Sequence, residues 1–441
     1  MRTFVVGLIL LVCVARGVDN FVFHDHYWSL LTHAKLSVAF TPAEVKDKKL
    51  AKKAKLKDVT QEEQYQIKQD LLRQLYSATN AEEVILRDGR KFQGTRISDN
   101  GSVVVFRQLF GKSGTIETKI NKRDIAQIKP IERTTGVITE DEVLIKKTFY
   151  DFKFTRQGNY SFFSDEDYFR ASAVASLVTG LHDGVVSTFR PLIEGDINRR
   201  SYVLVFGDGQ AFYELCRAIA PGIKGAVGFY SPGSDYLVVY DFFNGRGFRA
   251  FNSYLRWTQA KLSDDDASDL QAAQSRFALD MKAENIAVVR HEGAHQLSFD
   301  LGILNNETSD IWVAEGFAEY CSTPYIGKPR QEHIDFAAHA MKHDRYIPLN
   351  RLFELSDGES FYRQNEYDVG LSYAESWLYF YYLMQPDRRE KFFSYLAGLK
   401  KSKNLNAAER LKKLGEAMDI SAKDLDEAVK TFARQNKKIP A

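Results

Sequence analysis

The chain has little net charge, few cysteines and no long apolar run after its first residues. Its 60 basic and 58 acidic side chains give a formal charge of +2 over 441 residues. This near-neutral balance argues against a general nucleic-acid binder. No segment beyond the N-terminus reaches about 18 apolar residues, so no transmembrane segment is predicted. Hydrophobic and charged fractions of 44% and 27% instead indicate a globular protein with room for two or three domains.

The N-terminus has the composition of a signal peptide. The apolar stretch Phe4–Val14 lies between the positive Arg2 and a small-x-small pattern, Ala15-Arg16-Gly17. Residues 1–17 are therefore expected to direct export to the periplasm or the extracellular space. Their removal would take away two arginines and leave a mature chain with no formal net charge.

The scarcity of cysteine leaves one pairing question. Cys13 lies within the predicted signal peptide, so only Cys216 and Cys321 remain in the mature chain. An exported pair could form a disulfide. Both cysteines lie in apolar helical surroundings, however, and cysteine is commonly buried without bridging. Two buried thiols are the favoured prediction.

Hydrophobic patterning predicts an α+β fold in four regions. Residues 18–80 are polar and helical in pattern. Residues 82–131 change to a period of two, with short strands and an Asp-Gly turn, which indicates a small five-stranded SH3-like or Sm-like barrel. Residues 143–300 alternate strands with helices, and residues 301–441 are helical in pattern.

The helical N-terminal region carries a dense basic run. Seven lysines fall between Lys46 and Lys57, interleaved with Ala and Leu. Such a face could contact anionic envelope polymers or lipid. A solvated helix face is the favoured alternative, because runs of like charge usually do no more than solvate.

The most informative residues are the pentad His291-Glu-Gly-Ala-His295 and the later Glu315. On a helix, His291 and His295 are one turn apart and project to the same side, where both could bind one metal ion. Glu315 follows after a 19-residue gap, from Gln296 to Ala314, and supplies a third ligand. These donors predict one Zn²⁺ per chain, and Glu292 lies where a general base would act.

A second carboxylate strengthens this prediction. Glu319 is four residues after Glu315, so both project from one helix face. Glu319 could therefore accept the remaining N–H of a ligating imidazole, which fixes the tautomer of that histidine. The alternative is a helix with two half-buried histidines and an exposed glutamate.

The two motifs, His291–Gln296 and Trp312–Tyr320, resemble those of the gluzincin zinc metallopeptidases, the clan that contains thermolysin and the aminopeptidase N-like enzymes. The wider region from about Arg200 to Lys430 resembles a bacterial family of exported, peptidase-like gluzincins. The resemblance implies a catalytic unit with a mixed sheet, active-site helices and a following helical subdomain. It also implies a peptide or protein substrate.

The resemblance implies an edge strand that accepts the substrate backbone by strand addition beside the metal helix. The candidate is the start of the apolar segment that ends at Tyr230, and an ordinary hairpin is the alternative. The expected substrate-binding residues are Gly225, Ala226, Val227 and Gly228.

In the aminopeptidase-like branch, a tyrosine in a Tyr-x-x-Gly sequence stabilises the oxyanion. Tyr373 begins the similar Tyr-Ala-Glu-Ser and is the first candidate, although serine replaces glycine. Tyr367 begins Tyr-Asp-Val-Gly but lies six residues earlier. His339 and His343 are also four residues apart, and a surface pair is favoured over a histidine oxyanion donor.

These residues together predict amide hydrolysis by metal-activated water, with Glu292 as the general base. The sequence lacks the Gly-x-Met-Glu-Asn element with which aminopeptidases of this clan bind a free amine, so an endopeptidase is expected. Two alternatives stay open: an envelope binding or scaffold protein with a structural zinc, and a zinc-dependent peptidoglycan hydrolase.

Overall fold

The fold is α+β, as the sequence patterning predicts at this level of detail. The predicted signal peptide and the run Lys46–Lys57 lie outside the residues described below. The structure is a computed structural model, and it describes residues 59–77, 81–88, 91–110, 114–130, 137–165, 168–219, 227–241, 264–305, 308–356, 361–362, 364, 366–402 and 404–438.

A five-stranded antiparallel sheet forms from the region predicted as a barrel. The strand order is β4-β3-β2-β1-β5, so the last strand returns to pair with the first. Val104 and Phe106 point into a small apolar core, as the period of two requires. Within the described residues β4 does not pair with β5, so the predicted closure into a barrel is not found. The strands are β1 (Ala81–Leu86), β2 (Lys91–Asp99), β3 (Val103–Phe110), β4 (Gly114–Asn121) and β5 (Ile125–Pro130).

A second five-stranded sheet is mixed, with the order β6-β7-β8-β10-β9. The three inner strands are parallel, and each outer strand is antiparallel to its neighbour. All six residues of β8 are buried, as expected of a central parallel strand that is covered on both faces. The strands are β6 (Lys153–Gln157), β7 (Tyr160–Ser164), β8 (Ser201–Phe206), β9 (Gly228–Ser231) and β10 (Tyr236–Tyr240).

Every element that the structure describes after β10 is helical. None of the described helices is both long and apolar enough to cross a membrane. The helices are α1 (Gln61–Ser77), α2 (Glu140–Thr148), α3 (Tyr168–Phe189), α4 (Gly209–Ile219), α5 (Asp264–Asp300), α6 (Ile311–Ser322), α7 (Gln331–Lys342), α8 (Leu349–Leu355), α9 (Glu366–Leu383), α10 (Arg389–Lys400), α11 (Ala407–Met418) and α12 (Ala422–Asn436).

The mixed sheet separates two apolar cores. Leu237 on β10 belongs to the core shared with Leu181 of α3 and Leu297 of α5. The neighbouring Val238 belongs to the core on the opposite face, with Phe212 of α4. Each such buried side chain contributes roughly 1.5–3 kcal/mol relative to exposure. The first core continues into the C-terminal helices, so α5 is held between the sheet and the helical region.

Both predicted thiols are free and buried. Cys216 lies on α4 and Cys321 on α6. Burial raises the pKa of Cys216 to about 12, so this side chain is a neutral thiol at physiological pH. The favoured prediction of two unbridged cysteines is therefore confirmed.

Candidate metal centre

Helix α5 brings the two histidines of the pentad together in a buried position. His291 and His295 are one turn apart, and their side chains are 7% and 1% exposed. Their Nε2 atoms are 3.2 Å from each other. Both nitrogens therefore face the same small space, as the spacing of four residues predicts.

Helix α6 supplies the third donor. The Oε2 atom of Glu315 is 3.2 Å from Nε2 of His291 and 3.4 Å from Nε2 of His295. The Glu315 side chain is fully buried. Two helices that are separated by a loop thus bring one carboxylate oxygen to the two imidazoles.

Gly316 allows α6 to lie close to α9 beside this donor. A Cβ atom built at Gly316 would lie 2.6 Å from the backbone oxygen of Ser376. Real Cβ atoms essentially never approach another heavy atom so closely, so a larger residue would push the two helices apart. The glycine therefore allows α6, the helix that carries Glu315, to pack closely against α9.

The spacing of the three donor atoms fits zinc. Ligands placed tetrahedrally around Zn²⁺ at roughly 2.0–2.1 Å lie about 3.3–3.4 Å apart. The three distances between donor atoms here are 3.2, 3.2 and 3.4 Å. The group His291, His295 and Glu315 could hold a metal ion. Three protein donors leave one tetrahedral position for a non-protein ligand.

The charged and hydrogen-bonding groups around Glu315 keep its carboxyl ionised, so it is able to bind a cation. Burial alone would raise the pKa of this carboxyl. The charge of His295 and the hydrogen bonds from His291 and His295 outweigh burial and lower the pKa to about 2. Glu315 is therefore a carboxylate at neutral pH, which is the form that ligates zinc.

Glu319 lies behind His291, where the sequence predicts it. Its Oε1 atom is 3.4 Å from Nδ1 of His291. Its other oxygen accepts from Arg330 and lies 3.1 Å from Nε2 of His333. Two further side chains thus hold the carboxylate that faces the imidazole. A carboxylate in this place orients a metal-ligating histidine.

Glu292 turns toward the edge strand β9. Its Oε2 atom accepts a hydrogen bond of 3.2 Å from the backbone N–H of Tyr230. A Cβ atom built at Gly228 would lie 3.1 Å from Cγ of Glu292. The lack of a side chain at Gly228 therefore lets the strand lie directly against the predicted base.

The environment shifts the acidity of Glu292 in the metal-free chain. Burial raises its pKa, and the negative charge of Glu315 acts in the same direction. The charges of His291 and His295 and the bond from Tyr230 lower the pKa, but the net shift is upward. A carboxylate whose pKa moves toward the working pH is better suited to accept a proton from water.

Strand β9 is the edge of the mixed sheet within the described residues. The carbonyl of Val227 accepts from the N–H of Tyr240, so this residue faces into the sheet. Backbone groups alternate along an antiparallel strand, so Gly228 and Tyr230 turn theirs away from β10. Gly225 and Ala226 lie outside the described residues, and the substrate-binding role of all four predicted residues stays a prediction.

Tyr373 lies on α9 close to the candidate metal ligand His291. Its ring centroid is 6.0 Å from that of His291, and the side chain is 1% exposed. The side chain of Tyr367 lies outside the described residues. His339 and His343 are exposed at the end of α7, which agrees with the favoured surface pair.

Residues 285–406 match a family model described as a protein of unknown function, DUF1570. The match covers less than half of the chain. It includes the candidate metal ligands His291, His295 and Glu315, together with Glu292 and Tyr373. No curated protein matches the chain.

Sequence reasoning missed three residues of this site. Tyr362 donates a hydrogen bond of 2.8 Å from its hydroxyl to Oε1 of Glu315. Arg330 and His333 contact Glu319. None of them belongs to the metal motifs, and their contacts depend on tertiary packing. The only available signal was their chemistry as donors to carboxylates.

Proposed function

We propose that this chain is a zinc-dependent peptidase that cleaves peptide bonds within a chain. The observation that carries this proposal is the triangle of donor atoms from His291, His295 and Glu315, with sides of 3.2–3.4 Å. A structural zinc site would use a fourth protein ligand in place of an open position. The described residues offer three donors and a neighbouring carboxylate, which favours catalysis.

Each residue of the site has its own role in the proposed reaction. When bound, Zn²⁺ would supply a Lewis acid that polarises a carbonyl and makes water more acidic. Glu292 accepts a proton from the attacking water and passes it to the leaving amine. Tyr373 is the proposed donor to the oxyanion. Glu319 orients His291 and does not take part in proton transfer.

The edge of the mixed sheet supports a peptide as the substrate. Gly228 and Tyr230 present main-chain groups on the side of β9 that faces away from β10. An extended peptide binds such an edge through main-chain hydrogen bonds. The same strand contacts Glu292, so a peptide on this edge lies near the base. The absence of a Gly-x-Met-Glu-Asn element in the sequence favours internal cleavage over removal of N-terminal residues.

We also propose that the chain contains a catalytic unit with a gluzincin-like fold and a neighbouring SH3-like or Sm-like module. Helix α5 beside edge strand β9, with the third donor on α6, supports a gluzincin-like catalytic unit. The strand order β4-β3-β2-β1-β5 supports the small SH3-like or Sm-like module as its neighbour.

The test is a comparison of Glu292→Gln with the wild type. The variant is expected to bind one zinc per chain and to lose roughly 10²–10⁴-fold in peptide hydrolysis, because it lacks the general base. Metal is measured by elemental analysis, and cleavage by mass spectrometry of a peptide library. Glu390→Gln, an exposed change of the same kind on α10, is the control and should behave as the wild type.

Three results separate the alternatives. Equal hydrolysis by Glu292→Gln and the wild type would contradict the mechanism. A zinc-loaded wild type that cleaves no peptide but releases fragments from peptidoglycan would support the hydrolase alternative. Bound zinc without turnover of either substrate would support the scaffold protein with a structural metal.

A further inference from the structure

The two carboxylate oxygens of Glu315 have different surroundings. Oε2 faces both imidazoles at 3.2 and 3.4 Å. Oε1 accepts a hydrogen bond of 2.8 Å from the hydroxyl of Tyr362. One oxygen is thus directed to the place where a metal fits, and the other is directed to a tyrosine.

The different surroundings of the two oxygens determine how many coordination positions Glu315 would occupy on a bound metal. A carboxylate can ligate a metal through one oxygen or through both. With both oxygens bound, the chain would supply four donor atoms, and the fourth would compete for the position that a hydrolytic zinc site keeps open beside its three protein ligands. A hydrogen bond from a hydroxyl to Oε1 keeps that oxygen away from the metal, so Oε2 alone is left to bind it. Neutral tyrosine is an O–H donor, since its ordinary pKa is about 10.

The neighbouring packing holds Tyr362 in place. Phe361 is fully buried, and its ring centroid is 5.7 Å from that of Tyr373 on α9. The ring centroids of Phe361 and Tyr362 are 5.2 Å apart. Phe361, the residue before Tyr362, therefore packs against the same helix that carries Tyr373. The Tyr362 hydroxyl is held by this packing as well as by its bond to the carboxylate.

We propose that Tyr362 is a positioning residue that holds Glu315 as a one-oxygen ligand and so preserves the open position on the metal. This inference rests on the proposed zinc site. It differs from the role of Glu319, which acts on His291. Two of the residues that would hold the metal are thus each positioned by a partner: Glu319 contacts His291, and Tyr362 contacts Glu315.

The test is Tyr362→Phe, which removes the hydroxyl and keeps the ring. Loss of such a partner typically weakens metal binding by about 10–100-fold. Zinc affinity is measured by competition with a chromogenic chelator. In the cobalt-substituted variant, Oε1 is free to bind, and a higher coordination number should weaken the visible absorption bands.

Tyr160→Phe is the matched control. Tyr160 is a buried tyrosine whose hydroxyl has no hydrogen-bond partner among the described residues. Its replacement should leave zinc affinity and the cobalt spectrum unchanged. Thermal unfolding of both metal-free variants measures whether the fold has changed.

The outcomes distinguish this inference from the proposed function. Wild-type protein that binds no zinc would overturn both. Zinc binding by the wild type, with the same affinity and cobalt spectrum in Tyr362→Phe, would overturn only the role of Tyr362. The two cobalt spectra are compared directly: a higher coordination number in Tyr362→Phe than in the wild type supports the inference, and the same coordination number in both overturns it.

Discussion

Two histidine pairs in this chain share one spacing and differ in everything around it. His291 and His295 on α5 have ring centroids 4.8 Å apart. His339 and His343, at the end of α7, have ring centroids 4.4 Å apart. Helix geometry alone therefore brings both pairs within reach of a shared ion.

The difference lies in what surrounds each pair. The α5 pair is buried, and Glu315 completes its donor set. The α7 pair is exposed, and among the described residues no third donor completes a metal-binding group with it. Spacing of four residues thus brings two imidazoles close together, and a buried carboxylate from another helix turns such a pair into a candidate metal site. Each of the following predictions tests this distinction.

The largest effect is expected from removal of one imidazole. His291→Ala should weaken zinc binding by on the order of a hundredfold to a thousandfold. This follows if each of four ligands supplies an equal share of the roughly 10–16 kcal/mol of structural zinc sites. His339→Ala should retain wild-type zinc binding. Isothermal titration of both variants measures the contrast, and equal losses would remove the distinction between the pairs.

An intermediate effect is expected from Glu319→Gln. The amide keeps the size of the side chain but removes the negative charge that faces Nδ1 of His291. Zinc binding should weaken by about 10–100-fold, as for other partners of metal-ligating histidines. Competition with a chelator gives the affinity. Glu390→Gln again provides the matched surface change, and a similar loss there would rule out a specific effect at His291.

The smallest effect concerns the surface pair itself. His339 is largely exposed, but its limited desolvation lowers its pKa, and the nearby charges of His343 and Lys342 lower it further. His343→Ala should therefore raise the pKa of His339. The lowered pKa means that protonation of His339 is less favourable in the folded state than in the unfolded state. The free energy of unfolding therefore decreases as the pH falls and His339 becomes protonated. Histidine NMR signals followed over pH measure the change. A rise smaller than that in Lys342→Met would contradict the order of these causes.

Local pattern in the sequence accounts for much of the metal centre. The spacing of His291 and His295 is set by the turn of one helix, so the sequence predicts which side they share. The same rule places Glu319 on the face of Glu315. The buried run at Tyr202–Phe206 likewise predicts a central strand, because a strand covered on both faces is apolar throughout.

Contacts between distant segments could not be predicted in this way. Tyr362 reaches Glu315 from the segment before α9, and Arg330 reaches Glu319 from the start of α7. Neither residue lies at a regular spacing from the metal motif, so no local sequence pattern indicates its contact. The small sheet illustrates the same limit: the alternating pattern predicts its strands, but closure depends on how far β4 and β5 bend toward each other.

The backbone N–H of Tyr230 can make a full hydrogen bond to only one acceptor at a time. In this structure it goes to Glu292. In the proposed peptidase, a peptide carbonyl that pairs with this amide would displace the carboxylate, so binding of an extended chain would free Glu292 to act as the base. By reciprocity, a proton on Glu292 weakens its hold on the amide and makes the strand more receptive by the same free energy. In this proposal, one shared hydrogen would couple the binding of a peptide on β9 to the readiness of Glu292 to accept a proton.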